Sequence, residues 1–419
     1  MRTDYDKTLS QYIMEGTTGF RCGIFLPWQE LFPSFADIEN YFNVSVPEDS
    51  AYQWSTASGG IAEDRNSAIM CAIGEAAERY SAALCEYEIR QGKELKGECV
   101  LPQKAFSLFS DEQYQDRDFK WRLQDGEEAY YGKVFSLYDN SEVWVPQELI
   151  SLGPKKGDAA FPSSSTGLAA HTDIETALLS AVQELLERDA LTVYWLHALG
   201  GREIPLGEKF DKQVAAKQGE AYCFDVTQSW NSYPVVVVCG YLPLRGKKRI
   251  TMGCSCRKTL ELAREKAYAE WIQGCIFSGY YSLYNPDINL KNPEDVTSFD
   301  KHAVYYTLNP EGWDEVPIIT KKRRYLNGVN RTPLCGGLEN LLRSLKEEDI
   351  RLYYHELTLP DVREAGLRIV RVISPDLALI HGSEKEMFLG GRTKDVFWRY
   401  PDIPADKAEF PNRYPHSLG

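Results

Sequence analysis

The stretch "CAIGEAAER" (residues 71–79) sets two glutamates, Glu75 and Glu78, three positions apart among alanine, glycine, isoleucine and cysteine. Residues at i and i+3 share one helical face, so both carboxylates point the same way. An ordinary Glu-x-x-Glu is a solvated stripe, but between Ala68 and Cys85 the only charged residues are Glu75, Glu78 and Arg79. The helix predicted here is apolar on most sides and therefore belongs in an interior.

The arrangement recurs. "SGGIAEDRNSAIMCAIGEAAERYSAAL" (58–84) is matched by "STGLAAHTDIETALLSAVQELLERDAL" (165–191). Each opens Ser-x-Gly-x-Ala, passes a polar turn and enters a helix with Glu-x-x-Glu-Arg, placing Glu184, Glu187 and Arg188 beside Glu75, Glu78 and Arg79 in pattern. A looser third copy, "GCSCRKTLELAREKAYAEWIQG" (253–274), puts Glu270 and Gln273 in the Glu-x-x-Glu positions, with Lys266 one turn earlier. Thr172 and Glu175 match a capping box, which predicts a helix start near Asp173 and leaves the loop "SSSTG" (163–167) just upstream. Backbone N–H groups in such loops and at helix starts can receive phosphate oxygens, which makes Ser58 and Ser165 candidate phosphate-loop residues.

A buried carboxylate without a partner costs about several kcal/mol or takes up a proton. Arg79 and Arg188, four residues after Glu75 and Glu184, neutralise one charge on each helix and leave another. The remaining charge is accounted for if the two helices come together and Glu75, Glu78, Glu184 and Glu187 hold Mg²⁺, which takes oxygen ligands and commonly shares them with substrate phosphates. The arginines then orient the glutamates or contact phosphate bidentately.

Composition narrows the field. The 419 residues are 43 % hydrophobic, enough for a large core in one to three domains. A net charge of −14 with no basic run argues against nucleic acid. The longest apolar run, "PVVVVCGYL" (234–242), is too short to span a bilayer, and the amino-terminal sequence has no signal-like apolar segment; a cytoplasmic protein without a membrane partner is expected. The ten cysteines are expected to be thiols, and Cys254, Cys256 and Cys275 lack the spacing of a zinc site. Strands are predicted at "SEVWVP" (141–146), "YPVVVVCGYL" (233–242), "AVYYTL" (303–308) and "LRIVRVISP" (367–375), among helical stretches. The predicted class is mixed α/β (α+β), and no linker composition marks a domain boundary.

In "SSTGLAAHTDIETALLSAVQELLERDA" (164–190), "CAIGEAAERY" (71–80) and "AYAEWIQ" (267–273) the chain resembles the YcaO family. The likeness continues through "FDVTQSWNSYPVVVV" (224–238), "DKHAVYY" (300–306), "RVISPDL" (371–377) and "LGGR" (389–392). It implies a single YcaO domain over residues 1–419 whose repeated loop-helix elements surround an ATP site unlike the P-loop. Mg²⁺ is then held by Glu75, Glu78, Glu184 and Glu187, and nucleotide contacts come from these residues with Ser58, Ser165, Arg188, Lys266, Glu270 and Gln273. It further implies an ATP-dependent cyclodehydratase that activates a backbone amide oxygen and closes Cys, Ser or Thr of a ribosomal precursor peptide into thiazoline or oxazoline. The alternatives are a thioamide or amidine synthetase of the same family and a non-catalytic nucleotide-binding scaffold. Residues 400–419 resemble the family's proline-containing tail, which makes Pro415, His416 and Gly419 the implied catalytic residues, although Ser417, Leu418 and Gly419 replace its final prolines. Cys71, His171 and Thr176 also depart from the family pattern. No extra segment is long enough to bind a leader peptide, so a separate ThiF-like or winged-helix partner is expected.

Overall fold

The computed structural model describes residues 8–19, 23–30, 40–44, 58–324 and 337–419. They form two compact units, one from the described residues within 1–106, 116–182 and 351–375 and the other from those within 107–115, 183–350 and 376–419. The division falls inside one helix, between Val182 and Gln183.

In the first unit, strands β1 (Gln29–Glu30), β2 (Asn40–Val44) and β3 (Ser58–Ala62) form an antiparallel sheet in that order. Helix α1 (Arg65–Leu84) follows β3 and is capped by Asp64, whose carboxylate accepts the Ser67 N–H at 3.0 Å. A second sheet joins β4 (Ile89–Gln91), β5 (Tyr130–Ser136), β6 (Glu142–Pro146), β7 (Leu168–His171), β13 (Tyr353–Glu356) and β14 (Arg368–Ile373), with β5 flanked by β4, β6 and β13 and β14 pairing β7. Helix α2 (Ile174–Leu196) leaves β7 through a short turn. Its cap is Asp173, which accepts the Thr176 N–H at 2.8 Å; Thr172, the cap expected from sequence, instead meets the His171 ring at 3.2 Å. The helix start is as expected, and the shorter Asx geometry takes the capping role.

The second unit is built on β8 (Arg202–Glu203), β9 (Glu220–Asp225), β10 (Val235–Leu244), β11 (Lys247–Cys256) and β12 (Arg323–Arg324), in the order β11-β10-β9-β8-β12. The run Val235–Cys239 is fully buried, which is why it reads as continuous hydrophobics rather than an alternation. Helices α3 (Leu260–Tyr284) and α4 (Phe299–Leu308) pack on β11. The expected strand at 303–308 is the body of α4: Ser298 caps it, and Val304, Tyr305 and Tyr306 are β-formers drawn into a helix by burial. The mixed α/β class and the other three strands stand as read, with three sheets among the described residues. No described helix is long and apolar enough to cross a membrane. The described cysteines are all unpaired, Cys71 exposed and Cys254, Cys256 and Cys275 buried; Cys22 and Cys335 lie outside the described residues.

Candidate nucleotide and metal site

The three sequence copies are three strand-helix pairs: β3–α1, β7–α2 and β11–α3. The first and third share one packing device. The Ser58 hydroxyl donates to the Ala72 carbonyl at 3.1 Å, and the Thr251 hydroxyl donates to the Trp271 carbonyl at 3.2 Å. Two residues on, a Cβ on Gly60 would lie 2.2 Å from Ala68 O, and one on Gly253 would lie 2.2 Å from Ala267 O. Only glycine lets strand and helix backbones approach this closely. Ser58 therefore spends its hydroxyl inside the fold at 4 % exposure, whereas Ser165 is exposed.

These contacts also fix the register of the third copy. Ser58 corresponds to Thr251 and Ala72 to Trp271, so Glu270 stands where α1 has Cys71, and Gly274 stands where α1 has Glu75. The alignment of Glu270 and Gln273 with the Glu-x-x-Glu pair is thus off by one helical turn. Residues i and i+4 share a face, so a helical pattern alone does not detect such a slip.

The glutamates are tied to strand backbones. In the first unit Glu75 accepts the Gly59 N–H at 2.7 Å and pairs with Arg79, and Glu78 accepts the Ala170 N–H at 2.7 Å. In the second unit Glu187 accepts the Cys256 N–H at 3.2 Å. Ala170 lies five residues after Ser165, and Cys256 lies five after Thr251. The second glutamate of each pair is therefore held by the same position of the next copy's strand.

In the second unit Glu187 is 4 % exposed. The Arg188 Nε lies 3.6 Å from Glu184 Oε1 and 3.7 Å from Glu187 Oε1, and Lys266 Nζ is 3.5 Å from Glu270 Oε1. Burial pushes the Glu187 carboxyl up to about 8, Glu270 and Glu184 add like charge, and Arg188 and Arg257 oppose the rise. Arg188, despite its own burial, is held charged by Glu187, Glu184 and Glu270. The structure thus brings Glu184, Glu187, Arg188, Lys266 and Glu270 into one electrostatic cluster, with Gln273 one turn along α3. Three carboxylates, one buried and two half-buried, gathered beside basic side chains are a donor set that a hard divalent ion can use. Arg257, which follows Cys256 on the chain, carries one signal in the sequence, the break from the uncharged second half of β11 to the basic pair Arg257-Lys258.

The tail is anchored in the second unit. Asn412 donates to the Trp195 carbonyl at 3.0 Å, the Trp195 indole donates to the Tyr414 carbonyl at 2.7 Å, and the Tyr306 hydroxyl donates to the Pro415 carbonyl at 2.8 Å. The Met252 N–H of β11 donates to the Ser417 carbonyl at 3.4 Å. Pro415 and His416 are buried and Gly419 is exposed. Burial and the neighbouring His302 and His381 hold His416 well below the usual imidazole range, and Arg188 adds to that. The "LGGR" and "RVISPDL" segments meet here, with Arg392 Nη2 3.5 Å from Asp376 Oδ1.

Within the second unit, glutamates from two of the strand-helix copies gather with basic residues, a donor set suited to metal-bound phosphate. The chain belongs to the YcaO family: the family profile described as YcaO cyclodehydratase, ATP- and Mg²⁺-binding, matches residues 59–378. Among solved structures it is similar to a heterocyclase in complex with substrate and cofactor, with a TM-score of 0.75 and 17 % identity over 97 % of this chain and 57 % of that one. It is also similar to YcaO from Methanopyrus kandleri bound with AMPPCP and Mg²⁺ (TM-score 0.61, 16 % identity, 88 % of each chain). A third is the E. coli microcin synthetase McbBCD complex with pro-MccB17 bound (TM-score 0.57, 17 % identity, 81 % of this chain and 85 % of that). At these identities the likeness establishes the fold. The chain spans about half the length of the heterocyclases it matches, 57 % of one and 49 % of the heterocyclase TruD. A comparison with curated proteins gives no match.

Proposed function

We propose that this chain is an ATP-dependent cyclodehydratase that closes Cys, Ser or Thr residues of a ribosomal precursor peptide into thiazoline or oxazoline rings. The observation that carries the reading is the gathering of Glu184, Glu187 and Glu270 with Arg188 and Lys266 in the second unit. Glu184 and Glu187, with Glu75 and Glu78, would hold Mg²⁺, as the family's description supports. When bound, Mg²⁺-ATP supplies the phosphoryl group that turns an amide oxygen into a leaving group, chemistry that depends on positioning and charge neutralisation. Arg188 and Lys266 would neutralise phosphate oxygens, Glu270 would hold Lys266 in place, and the Gln273 amide would donate to the nucleotide. Ser165, exposed in its loop, would contact phosphate directly, and the buried Ser58 would shape the turn that presents the Gly59 N–H. Pro415 and His416 would fix the tail so that Gly419 lies at the reacting peptide.

The precursor peptide and a separate leader-binding protein, ThiF-like or of winged-helix type, complete the proposal. A relative solved as a three-component complex with its pro-peptide supports such a partner. Dependence on ATP supports a cytoplasmic setting, and the two units act as one YcaO domain. The test is incubation with ATP, Mg²⁺, a leader-binding partner and its peptide. Mass spectrometry should show the loss of one water per ring, and Glu184→Gln should abolish both this loss and ATP turnover. Unmodified peptide beside a competent partner refutes the reading.

A further inference from the structure

Three histidines distant in sequence, His302 of α4, His381 after β14 and His416 of the tail, meet in the second unit at 0 %, 2 % and 2 % exposure. One ring nitrogen of each lies within 4.8 Å of those of the other two. Each imidazole has one nitrogen engaged by an oxygen. His302 Nδ1 is 2.9 Å from His416 O, His416 Nε2 is 3.0 Å from His381 O, and His381 Nε2 is 3.3 Å from Glu384 Oε1. A carbonyl only accepts, so Nδ1 of His302 and Nε2 of His416 carry the proton, and the Glu384 carboxylate selects the same state at His381 Nε2. The second nitrogens, His302 Nε2, His416 Nδ1 and His381 Nδ1, are then bare lone pairs, buried and without hydrogen-bond partners.

Three such nitrogens on rings packed into one cluster are a cost the fold would shed unless something used them. Histidines whose N–H groups are held by carbonyls or a carboxylate while their lone pairs stay bare are what metal ligation requires. We propose that His302, His381 and His416 bind a first-row transition ion, Zn²⁺ by the chemistry of the donors, with Glu384 beside them. Glu384 Oε1 lies 3.8 Å from His302 Nε2, about half an ångström farther than the roughly 3.3 Å between two ligands of a tetrahedral zinc ion, so the carboxylate closes in on binding. The His302 and His416 rings stack at 3.8 Å with planes 4° apart, and parallel planes do not both contain one ion. Binding therefore turns one ring out of the stack. The site would clamp the tail to α4, a role separate from the carboxylate cluster and independent of the nucleotide reading.

The test uses the tag-free full chain, stripped with chelator, reloaded with ZnCl₂ and dialysed against metal-free buffer. Elemental analysis should find one Zn²⁺ per chain, with a raised melting temperature. His416→Gln and His381→Gln should lose the ion, and Glu184→Gln should keep it. Co²⁺ in its place should give the visible absorption of a tetrahedral nitrogen and oxygen site, a readout on the unmutated chain that stands even if a variant fails to fold. A chain that retains no zinc and gains no stability from it overturns the proposal. So does zinc that survives in both histidine variants, or a thiolate-to-cobalt charge-transfer band, which would place the ion on cysteines.

Discussion

Asp189 comes directly after Arg188 on α2, and it is fully buried opposite an equally buried Arg399. Its two oxygens accept four N–H groups: Arg399 Nε at 2.8 Å, Arg399 Nη2, Gln228 Nε2 at 2.9 Å and the Ala378 backbone N–H at 2.7 Å. Arg399→Met keeps most of the side-chain volume and removes two of the four, both from the cation. Charge-assisted bonds of this kind contribute about 1.5–3 kcal/mol each, and a carboxylate stranded without its partner costs about 3–5 kcal/mol. Against a total stability of about 5–15 kcal/mol, the substitution should bring the chain close to half-unfolding in mild denaturant. Asp189→Asn in the Arg399→Met background removes the stranded charge and should recover about 2 kcal/mol, because a neutral amide is far cheaper to bury than an ion. Urea unfolding followed by fluorescence and circular dichroism gives both numbers from the midpoints at constant slope. A loss under about 1 kcal/mol for Arg399→Met, or a double variant no better than the single, refutes the reasoning.

Other consequences follow from the same geometry. Glu187 sits above its unfolded carboxylate value, so the fold favours its protonated form; its own contribution to stability is full below about pH 4.5 and is lost as pH rises through about 8, and thermal melts of Glu187→Gln should lose that limb. Gly60→Ala and Gly253→Ala drive a methyl into helix backbone and should each cost about 1–3 kcal/mol in thermal unfolding, while Gly126→Ala, whose nearest neighbour is 3.9 Å away, should shift stability by under about 0.5 kcal/mol. Trp195→Phe deletes the donor to the Tyr414 carbonyl and should destabilise by about 1 kcal/mol while increasing proteolytic clipping near residues 410–419.

The repeat was legible because each copy carries its own punctuation: a small-residue strand, a polar turn, a capped helix and glutamates in an apolar stretch. The interior character of α2 followed from its composition, and Ala181, Val182, Leu186 and Val193 are indeed wholly buried. Where reading failed, the deciding interaction was distant in sequence. Val304, Tyr305 and Tyr306 favour a strand locally, yet a Ser298 cap and a buried position on β11 make a helix of them. The three histidines lie 79 and 35 residues apart, so no spacing announces them. The tail reads as loose chain by composition, and it becomes ordered through carbonyls that α2, α4 and β11 happen to need.

The slip in the third copy is the most instructive of these. Glu270-x-x-Gln273 and Glu75-x-x-Glu78 both lie on faces turned toward polar groups, and a shift of four residues preserves the face to within about 40° because a turn is 3.6 residues. Periodicity therefore says which side of a helix matters and leaves open which turn. The turn is set by a contact with no helical period at all, the glycine of the preceding strand against a backbone carbonyl one layer away: Gly60 on Ala68 and Gly253 on Ala267. The carbonyls those glycines touch are the register marks, and counting the same seven residues on from Ala68 and from Ala267 leads to Glu75 and to Gly274, not Glu270. The third helix then offers Lys266 and Glu270 a turn nearer its amino terminus, which suits residues that adjust charge beside Glu187 and Arg188 better than residues that add a third ligand pair.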